Sequence, residues 1–110
     1  MPKKPVRPVR FLNGYRLMWM MVMFDLPVVS REDRKEYTRF RHFLLDNGFS
    51  MAQFSVYFRL VSSKDRLKRF ERRIAEALPK HGKIQIVAIT DKQYENINFI
   101  EKKDSFIHFC

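Results

Sequence analysis

The chain has 110 residues, with 22 Lys and Arg against 12 Asp and Glu for a formal charge of +10, so it is one domain with a thin core and no room for a second folded unit. A hydrophobic fraction of 45% with three Gly and five Pro argues against disorder, and the single Cys excludes an intramolecular disulfide scaffold and a cysteine-based metal site. The charge calls for an anionic partner, nucleic acid first and an acidic membrane surface second.

Residues 1–14 carry Lys3, Lys4, Arg7 and Arg10 without an acid, and Pro2, Pro5 and Pro8 prevent a regular helix. They are read as a basic arm, with Phe11 and Leu12 anchoring its end. A solubilising leader and an arm that touches phosphates or a partner protein are both open readings. The apolar run from Leu17 to Leu26 contains Asp25 and is about half a bilayer span. It lacks a following Ala-x-Ala-like cleavage site, so the chain is expected to be cytoplasmic, with no membrane partner.

Leu17 to Phe24 shows no helical spacing and predicts a strand buried on both sides. Met18, Met20, Val22 and Phe24 point one way, and Leu17, Trp19, Met21 and Met23 the other. Asp25-Leu-Pro27 ends it. Ser30 with Asp33 predicts a capped helix running to Asn47-Gly48, with Tyr37, Phe40, Phe43 and Leu44 as its buried stripe.

Phe49 to Val61 predicts sheet, with Phe54, Val56, Phe58 and Leu60 on one side and Ser55, Tyr57 and Arg59 on the other. One bent strand and two short strands both fit, with a bulge or bend at Gln53 to Ser55. Ser62 or Ser63 then caps a helix carrying Leu67, Phe70, Ile74 and Leu78 at spacings of three and four. Pro79-Lys-His-Gly82 stops it, and Lys83 to Thr90 is a further strand.

This order predicts an α+β, ferredoxin-like βαββαβ sandwich over residues 15–94, with both helices on one sheet face. The helices cannot cover both sides of the first strand. A homodimer stacked sheet on sheet supplies the missing cover. In the tail, residues 95–110, Ser105-Phe-Ile-His-Phe109 reads either as an extra edge strand completing the dimer or as a frayed end.

Asp25 follows a doubly apolar strand, so its carboxylate reaches water, a partner or a cation instead of the core. It reads equally as a turn residue accepting amide N–H groups. Near a dimer axis two copies of Asp25 could recruit Mg²⁺, which favours oxygen ligands. No cluster of carboxylates of the kind two-metal cleavage needs is present; Asp91 could assist, or be a turn residue. His42, His81, His108 and Cys110 share no zinc-ligand spacing, and no Gly-rich phosphate loop or dinucleotide fingerprint points to a nucleotide cofactor.

Phe40, Phe54, Phe58 and Phe70 sit at core spacing, so they read as core and not as a base-stacking platform. The Arg/Lys-Gly-Phe/Tyr pattern of RNA-recognition domains is missing. From Arg59 to Lys83 the basic residues Arg59, Lys64, Arg66, Lys68, Arg69, Arg72, Arg73, Lys80 and Lys83 face only Asp65, Glu71 and Glu76. Positions 66, 69 and 73 trace one stripe beside the apolar one, and Lys64, Lys68 and Arg72 widen it. A solvated helix face is the plain reading; a surface that contacts phosphates is the functional one.

Four segments carry a family resemblance: Tyr15-Arg-Leu-Met-Trp-Met-Met-Val-Met-Phe-Asp-Leu-Pro27, Tyr37-Thr-Arg-Phe-Arg-His-Phe-Leu-Leu-Asp-Asn-Gly-Phe49, Gln53-Phe-Ser-Val-Tyr57 and Ile89-Thr-Asp-Lys-Gln-Tyr94. From Tyr15 to Tyr94 the chain resembles the CRISPR-associated protein 2 family, in the form that accompanies type II CRISPR loci. The resemblance implies a homodimer of ferredoxin-like domains that bridges dimers of the integrase catalytic subunit and helps capture duplex spacer DNA. It also implies that Asp25 matches the acidic residue linked to metal-dependent nuclease activity, on RNA or DNA, in some members. It places Ser55 and Arg59 near the same dimer cleft and makes the basic residues of the second helix contacts to the duplex. The long basic leader departs from the family's minimal form.

Overall fold

The apolar run forms β1 (Met18–Asp25), the strand on which the other elements assemble. The computed structural model describes residues 17–102, so the basic arm, the expected Ser105–Phe109 edge strand, His108 and Cys110 lie outside the described residues. After β1 come α1 (Arg31–Asp46), β2 (Ser50–Gln53), β3 (Val56–Val61), α2 (Lys64–Ala77), β4 (Lys83–Thr90) and α3 (Asp91–Glu95). The four strands form one antiparallel sheet in the order β2-β3-β1-β4. This is the ferredoxin-like arrangement, with β1 paired on both edges and buried on both faces.

Local chemistry sets the helix boundaries. The Ser30 hydroxyl accepts from the Asp33 N–H at 2.9 Å, while the Ser30 N–H donates to the Asp33 carboxylate at 3.1 Å, so two amides of the first turn are satisfied reciprocally. At the other end Gly48 takes φ +86°, a left-handed conformation that a Cβ would oppose. Ser63 caps α2, its hydroxyl accepting from the Arg66 N–H at 3.2 Å.

The helix-side core joins Met20, Val22 and Phe24 of β1 to Phe40 and Leu44 of α1 and Ile74 of α2. Phe24 meets Phe40 edge-on at 5.1 Å, a geometry that sets a ring's positive edge against a negative face. Each fully buried aliphatic or aromatic side chain here stabilises the fold by about 1.5–3 kcal/mol.

Phe49–Val61 resolves into the two-strand alternative, with a register shift between Met51 and Gln53. Phe54 and Ser55 form the two-residue connection, Ser55 at φ 69°, as tight hairpins require. This corrects the core assignment of Phe54, which is 79% exposed. Strand alternation does not extend through a turn, so its side chain leaves the sheet surface and lies beside the Tyr37 ring, tilted 40° to it with 6.1 Å between centroids.

The second sheet face also departs from expectation. The sequence assigns its cover to another copy, yet Trp19, Phe58 and Tyr94 are buried within one chain, packed with Ile97 and Phe99. The additional element is α3, capped by Thr90 and Gln93, which lays Tyr94 on Trp19 at 3.8 Å. The cover is partial: Met21 and Met23 remain half-buried and Val87 of β4 is exposed. Among the described residues no helix is long and apolar enough to cross a membrane.

Candidate nucleic-acid interface

α2 divides its residues by periodicity. Ile74 is buried and Leu67 and Phe70 are half-buried, while Lys64, Arg66, Lys68, Arg69, Arg72 and Arg73 are exposed. Residues three and four apart share a helix face, so Arg66, Arg69 and Arg73 line up beside Phe70. Phe70 is fixed by an edge-on contact with Phe49 at 6.0 Å.

Arg59 reaches this stripe from β3. By register it lies opposite Met20, on the helix side of the sheet, and its guanidinium sits 4.4 Å above the Phe70 ring centroid, a favourable cation–π position. Nε donates to the Asn47 carbonyl at 2.8 Å and Nη1 to the Leu60 carbonyl at 2.7 Å. α1 has no basic residue in its last turn, so a cation from β3 meets the negative end of that helix. Burial, and secondarily the charge of Arg66, lowers the pKa of Arg59 from its ordinary value.

Arg59, Arg66, Arg69 and Arg73 line one open cavity of about 450 Å³, floored by Phe70 and bordered by Asp46, Asn47 and Gly48. Among the described residues the ion pair present is Arg39 with Glu36 at 2.6 Å, and none of the four cavity arginines is neutralised in that way. Such a site attracts an anion and matches phosphate oxygens in geometry. The sequence points to Arg66, Arg69 and Arg73; it misses the α1 C-terminus as the cavity's rim, although Asn47-Gly48 as a helix stop places exposed carbonyls there.

Asp25 is exposed at the end of β1, with Lys83 its cross-strand neighbour. Ser55 joins this end of the sheet: its carbonyl accepts from the Phe24 N–H at 3.1 Å and its hydroxyl lies 3.3 Å from that of Tyr37. Arg59 is four residues further along, about 13 Å away by strand rise, and is held by α1 and Phe70. The structure therefore brings Ser55 to the Asp25 end of the sheet and separates Arg59 from both along the strand: Ser55 and Arg59 share the helix-side face, but Arg59 lies toward the opposite end of β3.

Within one chain Asp91 lies at the far end of β1 from Asp25. It is buried there, and its carboxylate accepts from the Trp19 indole N–H at 3.0 Å. Among the described residues no group of three or more His, Cys, Asp or Glu converges. Mg²⁺ requires near-octahedral oxygen ligation, and one exposed carboxylate beside a lysine does not fit it as a resident ion in a single chain.

Known proteins resemble the chain over the same span. The family model described as CRISPR associated protein Cas2 matches residues 18–97. A CRISPR-associated endoribonuclease Cas2 of Paracidovorax avenae is 55% identical over 84 residues, 76% of this chain and 78% of that protein. A protein of the same name from Lacticaseibacillus rhamnosus is 43% identical over 90 residues, 79% of this chain and 89% of the other. A crystal structure of cas2 aligns with TM-score 0.57 at 20% identity, covering 86% of this chain and 98% of that one, a likeness of fold. With the matched span running from β1 through α3, the chain belongs to the CRISPR-associated Cas2 family.

Proposed function

We propose that two copies of the chain form a cytoplasmic adaptor of CRISPR spacer acquisition, holding duplex DNA on their basic α2 faces and bridging dimers of the integrase catalytic subunit. The observation that supports this most is the set of four arginines around one cavity without carboxylate partners, Arg59 from β3 and the others from α2, continued by Lys64, Lys68 and Arg72 along α2. Uncompensated guanidinium groups suit phosphates, and binding of this kind is salt-dependent and weak in sequence preference. Val87, with Met21 and Met23, offers apolar sheet surface for a second copy to cover.

The test mixes the chain with its genomic-neighbour integrase and a short duplex, and weighs the complex by light scattering. A particle containing two copies of the chain, integrase and DNA is expected. A monomeric chain, or an assembly that excludes DNA, overturns the proposal. Single-stranded RNA that outcompetes duplex DNA at matched salt would replace it with an RNA-binding role.

A second reading, a Mg²⁺-dependent endoribonuclease or endodeoxyribonuclease using Asp25, draws on the word endoribonuclease in the relatives' names and on the exposed position of Asp25. Bound Mg²⁺ would activate water and stabilise charge at a phosphodiester. One chain does not supply its ligands, so this reading needs the Asp25 of two copies together.

A further inference from the structure

Arg59 differs from the other cavity arginines. Arg66, Arg69 and Arg73 are exposed on α2, so each loses side-chain freedom when it closes on a ligand. Arg59 has already lost it: two backbone carbonyls and the Phe70 face fix its plane. Nη2 has no hydrogen-bond acceptor among the described residues.

The backbone beside it is shaped for this approach. A Cβ added at Gly48 would lie 3.1 Å from Arg59 Nε, tight enough that the guanidinium would have to give by a few tenths of an ångström, and 3.5 Å from Nη2, an ordinary contact. Gly48 therefore ends α1 and also leaves space for the guanidinium. A planar donor held in place, with three exposed arginines around it and one carboxylate, Asp46, on the rim, forms a site for a compact tetrahedral anion.

Resting on the nucleic-acid reading above, we propose that this cavity seats one phosphate group of a bound strand, with Arg59 as the fixed donor and Arg66, Arg69 and Arg73 closing over it. The seat gives the duplex a defined register on α2, which an evenly charged helix face would not.

The experiment follows the Arg59 side-chain Nε–Hε resonance by NMR while inorganic phosphate or a short DNA duplex is added to the full chain. Both are expected to shift it saturably. Arg59→Gln removes the donor, but it also removes the support of the α1 C-terminus, so a second comparison uses exposed residues only. A variant with Arg66→Gln, Arg69→Gln and Arg73→Gln is set against a charge-matched one with Lys64→Gln, Lys68→Gln and Arg72→Gln. The cavity variant should lose about tenfold more duplex affinity, the scale of a charge-assisted hydrogen bond. The charge-matched variant should keep the phosphate-induced shift of Arg59.

A duplex that binds without moving the Arg59 resonance, with affinity reduced equally in the two variants, overturns the seat and leaves the nucleic-acid role standing. A wild-type chain that binds no duplex overturns that role and the strand phosphate together, even if inorganic phosphate still shifts Arg59.

Discussion

The Trp19 indole N–H donates to the Asp91 carboxylate at 3.0 Å across 72 residues of sequence, tying the first strand to the start of α3. The same indole stacks on Tyr94 with ring planes 11° apart. One side chain thus anchors both ends of the short helix that covers the second sheet face. Asp91→Ala leaves the buried indole N–H without this acceptor and should destabilise the fold by about 1–3 kcal/mol. Urea denaturation followed by tryptophan fluorescence measures it; an unchanged midpoint would show that α3 is held without this bond.

Gly48→Ala places a Cβ on a residue at φ +86° and crowds Arg59. The left-handed conformation alone should cost about 1–2 kcal/mol. Thermal denaturation checks the stability loss, and duplex affinity of the folded variant should fall as well, since Arg59 must shift. Retained affinity would detach Arg59 from DNA binding.

The Asp33 carboxylate has its pKa lowered, chiefly by the Ser30 backbone N–H. In the folded chain it therefore holds its proton less tightly than in the unfolded chain. The cap's contribution is full above the unfolded value of 3.8 and is lost as pH falls through the lower folded value. Asp33→Asn should flatten the acid limb of a stability-against-pH curve while leaving its shape near neutrality. A limb as steep as in the wild type would assign the acid sensitivity to other carboxylates.

Arg69→Glu combined with Arg73→Glu should weaken duplex binding by at least tenfold, on the scale of the charge-assisted bonds removed. The slope of log K against log salt should shrink by about 0.9 for each phosphate the variant no longer neutralises. Both residues are exposed, so the fold should persist by circular dichroism. Unchanged affinity across several salt concentrations would remove the α2 stripe from the interface.

Asp25→Ala separates the two functional readings. Asp25 is exposed and ends its strand, so its loss should change stability by less than about 0.5 kcal/mol. The adaptor reading expects spacer integration with the partner integrase to continue. Integration abolished while the assembly still forms would end a purely structural role, and Mg²⁺-supported cleavage equal in wild type and variant would end the Asp25 nuclease.

Local physics is legible in the sequence wherever neighbours along the chain decide the outcome. The Ser30–Asp33 cap, the stop at Asn47-Gly48, the two faces of β1 and the charged stripe of α2 all follow from side-chain chemistry and periodicity alone. They are enough to specify a basic ferredoxin-like domain. What they leave open is where distant elements meet. Phe54 sits outside the core because the turn falls at that residue, which alternation does not reveal. In sequence Arg59 is a strand residue at the start of a basic run; packing sets it beneath α2 and against the end of α1. Trp19 lies on a face that the two long helices leave bare, and α3 covers it from the same chain. Each depends on contacts between residues far apart in sequence, whose free energy comes from burial and hydrogen bonding in the assembled fold. The sequence determined the charge and the elements that display it; the tertiary structure decided that four arginines share one cavity and that Asp25 stands apart from it.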